Sequence, residues 1–293
     1  MRRRRAEPAR PPARSLGVDS QSSANERLWR RDHLARYAHR ILRPVEVVLL
    51  LRYHEALAGR VLELGCGAGR VLGYLGALGG EVHAIDVSPP MVEYCRRRYP
   101  EAHVHLGNLL DIGAAVSGPF DVVLIPDNTL DVVEPAQRQR VLREIRDLLQ
   151  PDGVLIFSSH NLGYVDGAGG PASPTRSAAA VRRAASRLAR TSFVDLAGRS
   201  VRLARGARNR RRLKPLERRA VDHAILNDSE GDFGALHYYV RRDDQERQLA
   251  AAGYALLECL DAEGRTVTAG RDGDSPWLHY VARPRDGGLA DDG

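Results

Sequence analysis

The spacing of apolar residues changes along this 293-residue chain, and each change marks a different kind of structure. From Asn25 to about Leu57, apolar residues recur at intervals of three and four, which predicts helices, and Pro44 is expected to divide them. Between residues 58 and 160, short strand-like runs alternate with helical stretches. Runs such as Val122–Ile125 are apolar on both faces, as in parallel strands that helices cover on both sides. The pattern therefore predicts an α/β core.

The alternation stops after His160. Residues 161–230 are expected to form a basic, helical insertion, and strand and helix signals return in residues 231–285, which we assign to the same sheet. Residues 1–24 are rich in Arg, Pro, Ala and Ser without periodicity, which predicts a disordered basic tail. Residues 286–293 are expected to be frayed.

The charge is distributed unevenly. The chain has 44 Lys and Arg against 37 Asp and Glu, a formal charge of +7, and Lys214 is its single lysine. Residues 176–219 carry +13 and residues 1–14 carry +5, so the rest of the chain is acidic, at −11. The basic charge therefore belongs to two appendages of an acidic core.

The cysteines indicate whether the protein has a metal site, and the N-terminus indicates its cellular compartment. Cys66, Cys95 and Cys259 lack the paired spacing of a disulfide framework or a zinc site, so we expect free thiols and no metal. The N-terminal arginines are not followed by an apolar segment, and no window resembles a membrane span. We expect a cytoplasmic protein without membrane contact.

A glycine-rich turn follows the first predicted strand. Its spacing, Glu63-x-Gly65-x-Gly67-x-Gly69, departs from the dinucleotide-binding fingerprint and disfavours an NAD-dependent oxidoreductase. A carboxylate at position 63 would repel a pyrophosphate and suit a cation. Asp86, at the end of the second strand, is placed to accept hydrogen bonds from ribose hydroxyls. Together, the carboxylates of Glu63 and Asp86 favour a ligand that is a nucleoside with a positively charged tail.

These segments resemble, in order, the motifs of class I S-adenosylmethionine (SAM)-dependent methyltransferases of the small-molecule type. The matching segments are Glu63–Gly69, Ala84–Met91, Gly107–Leu109, Phe120–Ile125 and Leu148–Leu155; Asn108 stands where the family usually has Asp. The resemblance implies a Rossmann-like, doubly wound sheet, mostly parallel with an antiparallel last strand, N-terminal helices and a helical insertion after strand five. It implies SAM as cofactor and S-adenosylhomocysteine as product. The implied cofactor-binding residues are Glu63, Gly65, Cys66, Gly67, Gly69, Asp86, Val87, Met91, Asn108, Leu109 and Asp127.

In this family the sulfonium drives an in-line methyl transfer, so the protein mainly positions the acceptor and, where needed, removes its proton. Candidate general bases therefore lie at the carboxyl ends of the fourth and fifth strands. His160 is a candidate general base because histidine is a residue type that serves in acid–base catalysis near neutral pH, although a surface or capping histidine is an equally good hypothesis. Tyr239 is the second catalytic candidate. The candidate acceptor contacts are Asn128, Asn161, His237 and Tyr238.

The basic insertion has three possible roles: a solvated lid over the acceptor, a clamp for an anionic acceptor, or a nucleic-acid patch. Phe193 is the only aromatic residue between 176 and 219, which disfavours base stacking on that segment. The leading hypothesis is methyl transfer to an N or O atom of a small molecule in bacterial specialised metabolism. The alternatives are an RNA or protein methyltransferase and a SAM-binding partner protein without turnover.

Overall fold

A computed structural model of the chain describes residues 20–29, 34–167, 193–229 and 231–285. The expected tails at residues 1–19 and 286–293, and residues 168–192 of the insertion, lie outside the described residues. Across the described ranges, no helix combines the length and the apolar character needed to cross a bilayer.

Four short helices precede the sheet: α1 Gln21–Trp29, α2 Leu34–Tyr37, α3 Pro44–Arg52 and α4 His54–Leu57. Pro44 is the first residue of α3, a position where its missing N–H costs nothing. The start of α1 corrects the expected boundary of the tail, because residues 21–24 are helical. Its cause is tertiary: the Gln21 N–H donates to Glu134 Oε1 at 2.8 Å, which anchors the helix to the core.

The predicted alternation of strands and helices between residues 58 and 160 is present. Its elements are β1 Arg60–Leu64, α5 Leu72–Ala77, β2 Glu81–Asp86, α6 Pro89–Arg98, β3 His103–Leu106, β4 Phe120–Ile125, α7 Pro135–Leu148 and β5 Leu149–Asn161. The strands are parallel, in the order β3-β2-β1-β4-β5. Leu62, Val123 and Leu155 pack on one face, and Val61, Val122 and Val154 on the other. The core therefore has two apolar layers, as strands apolar on both faces require.

The insertion differs from the expectation of an all-helical segment. After α8 Leu162–Gly167 and α9 Phe193–Leu213, the chain forms β6 Arg218–Arg219, β7 His223–Asn227 and β8 Leu236–Val240. β6, β7 and β8 form an antiparallel extension, and β8 pairs in parallel with the last two residues of β5. The apolar run in β7 is only three residues long, so local pattern could not identify a strand that depends on pairing with β8.

The C-terminal region completes the sheet. It consists of α10 Arg242–Ala251, β9 Tyr254–Leu260 and β10 Trp277–Pro284. β10 runs antiparallel to both β5 and β9, which confirms the mostly parallel sheet with an antiparallel last strand. Both β8 and β10 pair with β5 near its carboxyl end, so His160 lies where three strands meet.

Candidate functional site

A cavity of about 940 Å³ opens where the carboxyl ends of the parallel strands meet the N-terminal helices. The turn after β1, the end of β2 and the loops after β3 and β4 form one side. Trp29, Tyr37, His237 and Trp277 are among the residues of the other side. The position is the one that doubly wound sheets use for ligands.

The three glycines after β1 have different structural roles. All have positive φ: 75° at Gly65, 54° at Gly67 and 76° at Gly69. A Cβ on Gly65 would lie 2.4 Å from a Thr129 methyl, and one on Gly69 would lie 2.4 Å from the Tyr99 ring. A Cβ on Gly67 would meet nothing within 4 Å, and Gly67 lines the cavity. Gly65 and Gly69 therefore allow the turn to pack, whereas Gly67 brings backbone close to a ligand.

Two carboxylates stand beside this turn, and Glu63 is buried whereas Asp86 is partly buried. Glu63 is 1% exposed, and its Oε2 has no hydrogen-bond partner among the described residues. Burial raises the pKa of Glu63 to about 8. Asp86 accepts hydrogen bonds from the N–H groups of Gly67 at 2.8 Å and Ser88 at 2.9 Å, and burial raises its pKa as well. A bound cation would provide the partner that Glu63 Oε2 lacks.

Asp127 holds the segment that follows α2 against the cavity. Its φ is 54°, and its carboxylate receives Arg40 at 2.8 Å and Arg43 at 2.7 Å, with Arg70 at 3.4 Å. Burial raises the pKa of Asp127, but the charges of Arg70, Arg43 and Arg40 outweigh burial and hold it at about 2. Arg70 also pairs with Glu46. Asp127 lines the cavity, but its carboxylate is occupied by these arginines.

The other predicted cofactor residues also line the cavity: Cys66, Val87, Met91, Asn108 and Leu109. Met91 is 4% exposed and closes the floor of the cavity at the first turn of α6. Asn108 Oδ1 accepts the N–H of Leu110 at 3.0 Å, which leaves its amide NH₂ as the donor available at this wall.

His160 is buried in the cavity wall, which excludes a surface histidine. Asp131 Oδ2 lies 2.7 Å from His160 Nδ1 and also accepts the His160 backbone N–H at 2.7 Å. Burial raises the pKa of Asp131, but the charge of Arg138 and hydrogen bonds from His160 and Ser159 outweigh it and lower the pKa. An ionised Asp131 accepts from Nδ1–H, so Nε2 is the nitrogen left to accept a proton.

Asp228 joins a second histidine and a tyrosine to His160. Asp228 Oδ2 lies 2.7 Å from His237 Nδ1, 3.0 Å from the Tyr239 hydroxyl and 3.7 Å from His160 Nε2. The His160 ring lies 4.8 Å from the His237 ring and 4.7 Å from the Tyr239 ring. Asn128 Nδ2 is 3.4 Å from His160 Nε2. His160, Asp228 and His237 also offer three ligand atoms within 4.8 Å of one another, so this group can serve proton transfer or hold a metal ion.

Two predicted acceptor residues lie elsewhere. Tyr238 faces the opposite side of β8 from Tyr239, where its hydroxyl accepts from Gln248 Nε2 at 2.6 Å. Burial raises the pKa of Tyr238 to about 12. Asn161 Nδ2 donates to the Ser275 carbonyl at 2.9 Å and holds the loop before β10. Neither residue is among those that line the cavity, because strand alternation and local hydrogen bonding direct the two side chains elsewhere.

Three further residues at this site were not predicted from sequence: Asp131, Asp228 and Trp277. Asp131 lies in a 3₁₀ turn, Thr129–Val132, after β4, and its position close behind a predicted strand end was a usable signal. Asp228 follows β7, a strand that was not predicted. Trp277 approaches His160 edge-on at 6.1 Å through the antiparallel pairing of β10 with β5.

Comparison with known proteins identifies the domain. Residues 61–153 match the family model described as a methyltransferase domain. The ubiquinone biosynthesis O-methyltransferase of Xanthomonas axonopodis pv. citri is 29% identical over 148 residues, which is 49% of this chain and 60% of that protein. The chain therefore matches three fifths of the length of this curated relative.

Solved structures share the fold across nearly the whole chain. The CcbJ methyltransferase from Streptomyces caelestis has a TM-score of 0.54 at 19% identity, covering 92% of this chain and all of that one. The Burkholderia thailandensis 1,6-didemethyltoxoflavin-N1-methyltransferase has a TM-score of 0.52 at 16% identity, covering 96% of this chain and all of that one. These likenesses confirm the fold class.

Proposed function

We propose that this chain, whose residues 61–153 match a methyltransferase domain, is a class I SAM-dependent methyltransferase that transfers a methyl group from SAM to an N or O atom of a small molecule. One observation carries the proposal. The end of the cavity that is proposed to bind a nucleoside, at Asp86, and the buried His160, which Asp131 orients, face the same space. Bound SAM supplies the activated methyl group, so the protein needs to hold it and present an acceptor.

The residues of the cofactor end fit SAM. Glu63 offers an unpartnered carboxylate oxygen to the positively charged methionine tail, and Asp86 is placed for the ribose hydroxyls. Gly67 leaves room for the cofactor beside the backbone, and Met91 and Asn108 bound the base. The orphaned oxygen of Glu63 is the strongest sign of fit, because an unpaired buried carboxylate is costly until a cation arrives.

His160 is proposed as the general base. Asp131 acts through it as a positioning residue, because its carboxylate fixes the proton on Nδ1 and leaves Nε2 to accept the proton of the acceptor. Tyr239, proposed from sequence as catalytic, packs on the His160 ring and binds Asp228, which makes it a positioning residue as well. Asn128 and His237 are proposed to contact the acceptor from either side of His160.

The proposed acceptor is small and need not be anionic. The three arginines of the cavity already pair with Asp127 and Glu46, and the arginines of α9 between 201 and 213 are exposed and do not line the cavity. The curated relative's name supports an oxygen acceptor, and the fold is shared with an N1-methyltransferase of a small molecule. A role in bacterial specialised metabolism, in the cytoplasm, is part of the proposal.

The first test is calorimetric titration of the full chain with SAM and with S-adenosylhomocysteine. We expect saturable binding of both; a folded protein that binds neither at high micromolar concentration refutes the proposal. Methyl-labelled SAM is then offered with phenols, amines and RNA. Transfer to RNA alone, with steep salt dependence, would favour the RNA alternative, and binding without transfer to any acceptor would favour the partner protein.

The second test concerns the base. His160→Gln should lower the transfer rate by about 10²–10⁴-fold, the usual contribution of a general base, with little change in SAM affinity. His54→Gln, on the exposed surface of α4, is the matched control. The wild-type rate should survive a chelator. A rate that is lost with chelator and restored by a divalent metal would instead make His160, Asp228 and His237 metal ligands.

A further inference from the structure

A second group of metal-ligating side chains lies on the sheet away from the cavity. Glu81 and His83 are two residues apart on β2, and His103 and His105 are two residues apart on β3. His83 pairs with His103, and Ile85 with His105, in the parallel register. Because alternate residues share a face and paired residues are neighbours, all four side chains occupy one patch on one face of the sheet.

The side chains converge in space as well as in register. His83 and His103 stack with ring centroids 4.8 Å apart, and the His83 ring is parallel to that of His105 at 5.9 Å. Glu81 Oε1 lies 2.6 Å from His83 Nε2. Glu81, His83 and His103 offer three ligand atoms that all lie within 4.8 Å of one another. Small rotations of partly exposed side chains would bring these atoms around one ion.

Among the described residues, two ring nitrogens of the patch lack a partner of the kind that a metal ion or its bound water would provide. His83 Nδ1 and His105 Nε2 are buried without a hydrogen-bond partner among the described residues. Imidazole nitrogen and carboxylate oxygen are ligand atoms that zinc-type ions bind in proteins.

The patch lies on β2 and the edge strand β3 and is partly exposed. Glu81 is half exposed, whereas His83 is nearly buried against Phe120. Arg60 Nε lies 3.1 Å from Glu81 Oε1, and Arg60 Nη1 also donates to two carbonyl groups. Arg60 can keep those two bonds when Glu81 turns to an ion.

We propose that Glu81, His83 and His103, with His105 beside them, form a site for a divalent transition-metal ion of the zinc type. Two or three imidazoles and one carboxylate favour Zn²⁺, Cu²⁺, Ni²⁺ or Co²⁺ over Mg²⁺ or Ca²⁺, which take oxygen ligands. The ion joins β2 to β3, the edge strand of the sheet. Since Asp86 is at the other end of β2, the site reinforces the strand that carries the ribose-binding residue without touching the cavity.

The test is a titration of the full, untagged chain with Zn²⁺, followed by calorimetry and thermal unfolding. We expect wild-type protein to bind Zn²⁺ but not Mg²⁺ at this site and to unfold at a higher temperature with Zn²⁺. His83→Ala and His103→Ala should each weaken this binding by at least about 10-fold, as loss of a ligand does. SAM titrations of the same samples report the cofactor site separately.

Two control variants make the assignment specific. His237→Ala removes a member of the other histidine group and should keep the Zn²⁺ binding that His103→Ala loses. His54→Ala, on the surface of α4, should match wild type. The proposal is overturned if Zn²⁺ does not bind, if binding survives both His83→Ala and His103→Ala, or if His237→Ala alone abolishes it. Its failure leaves the methyltransferase proposal intact, because no residue of the patch lines the cavity.

Discussion

Cofactor binding should release a proton from Glu63, and Glu63→Gln should abolish that release. Burial holds the pKa of Glu63 at about 8 in the protein without cofactor. At pH 7 a group with that pKa is about 0.9 protonated. A positively charged tail placed against the unpartnered Oε2 favours the carboxylate, so the bound complex should hold the group ionised. Each binding event should therefore release nearly one proton from this residue.

Calorimetry in buffers with different heats of ionisation measures the proton release directly. We expect wild type to release about 0.9 proton more than Glu63→Gln when SAM binds at pH 7. The comparison of the two proteins cancels the titration of the ligand's own amino group. S-adenosylhomocysteine lacks the sulfonium charge but keeps the amino group, so it should release a similar number if the amino group is what faces Glu63.

The same pKa has a consequence for stability. A carboxyl whose pKa is raised on folding binds protons more tightly in the folded state, so its contribution to stability falls as pH rises from about 4.5 to about 8. Above pH 8 this pKa difference lowers the free energy of unfolding by its full amount, about 5 kcal/mol. Glu63→Gln should therefore stabilise the cofactor-free protein increasingly across that window. Equal proton release in the two proteins, or parallel stability profiles, would refute a buried, protonated Glu63.

Four further substitutions test the rest of the site. Asp86→Ala should weaken SAM binding by about 1–3 kcal/mol, measured by titration; an unchanged affinity would remove Asp86 from the ribose role. Gly67→Ala should impair SAM binding more than folding, whereas Gly69→Ala should lower the unfolding temperature, because its Cβ would overlap Tyr99. Asp131→Asn should destabilise the fold by about 3–5 kcal/mol by breaking a buried ion pair, and should lower kcat and change its pH profile. Wild-type kcat and an unchanged pH profile in that variant would contradict the positioning role.

Local segments of the chain are the parts of the fold that sequence predicts best. The turn from Glu63 to Gly69 and the strand end at Asp86 are local arrangements, in which backbone conformation and side-chain chemistry are specified within a few positions. The strands on either side are apolar on both faces, so their burial could also be predicted. The cofactor half of the cavity therefore follows from short segments of the chain.

The acceptor half depends on pairing between distant strands. His160 lies beside Tyr239 because the carboxyl end of β5 pairs with β8, and beside Trp277 because the other edge of β5 pairs with β10. Once that register is known, alternation explains why Tyr239 faces His160 and Tyr238 does not. Nothing in the local sequence specifies the register, because β7, which supports β8, has too short an apolar run to be recognised as a strand.

Asp131 shows why the strongest interaction of the acceptor site was hidden from sequence. Taken alone, an aspartate after a strand predicts a turn or a helix cap. In the fold it is fully buried, and its carboxylate receives Arg138 from α7 and both Ser159 and His160 from β5. A buried carboxylate is tolerated only with such partners, and those partners come from two separate elements, α7 and β5. The same network that allows Asp131 to stay ionised thus orients His160, so the stability of this part of the core and the proposed proton transfer depend on one side chain.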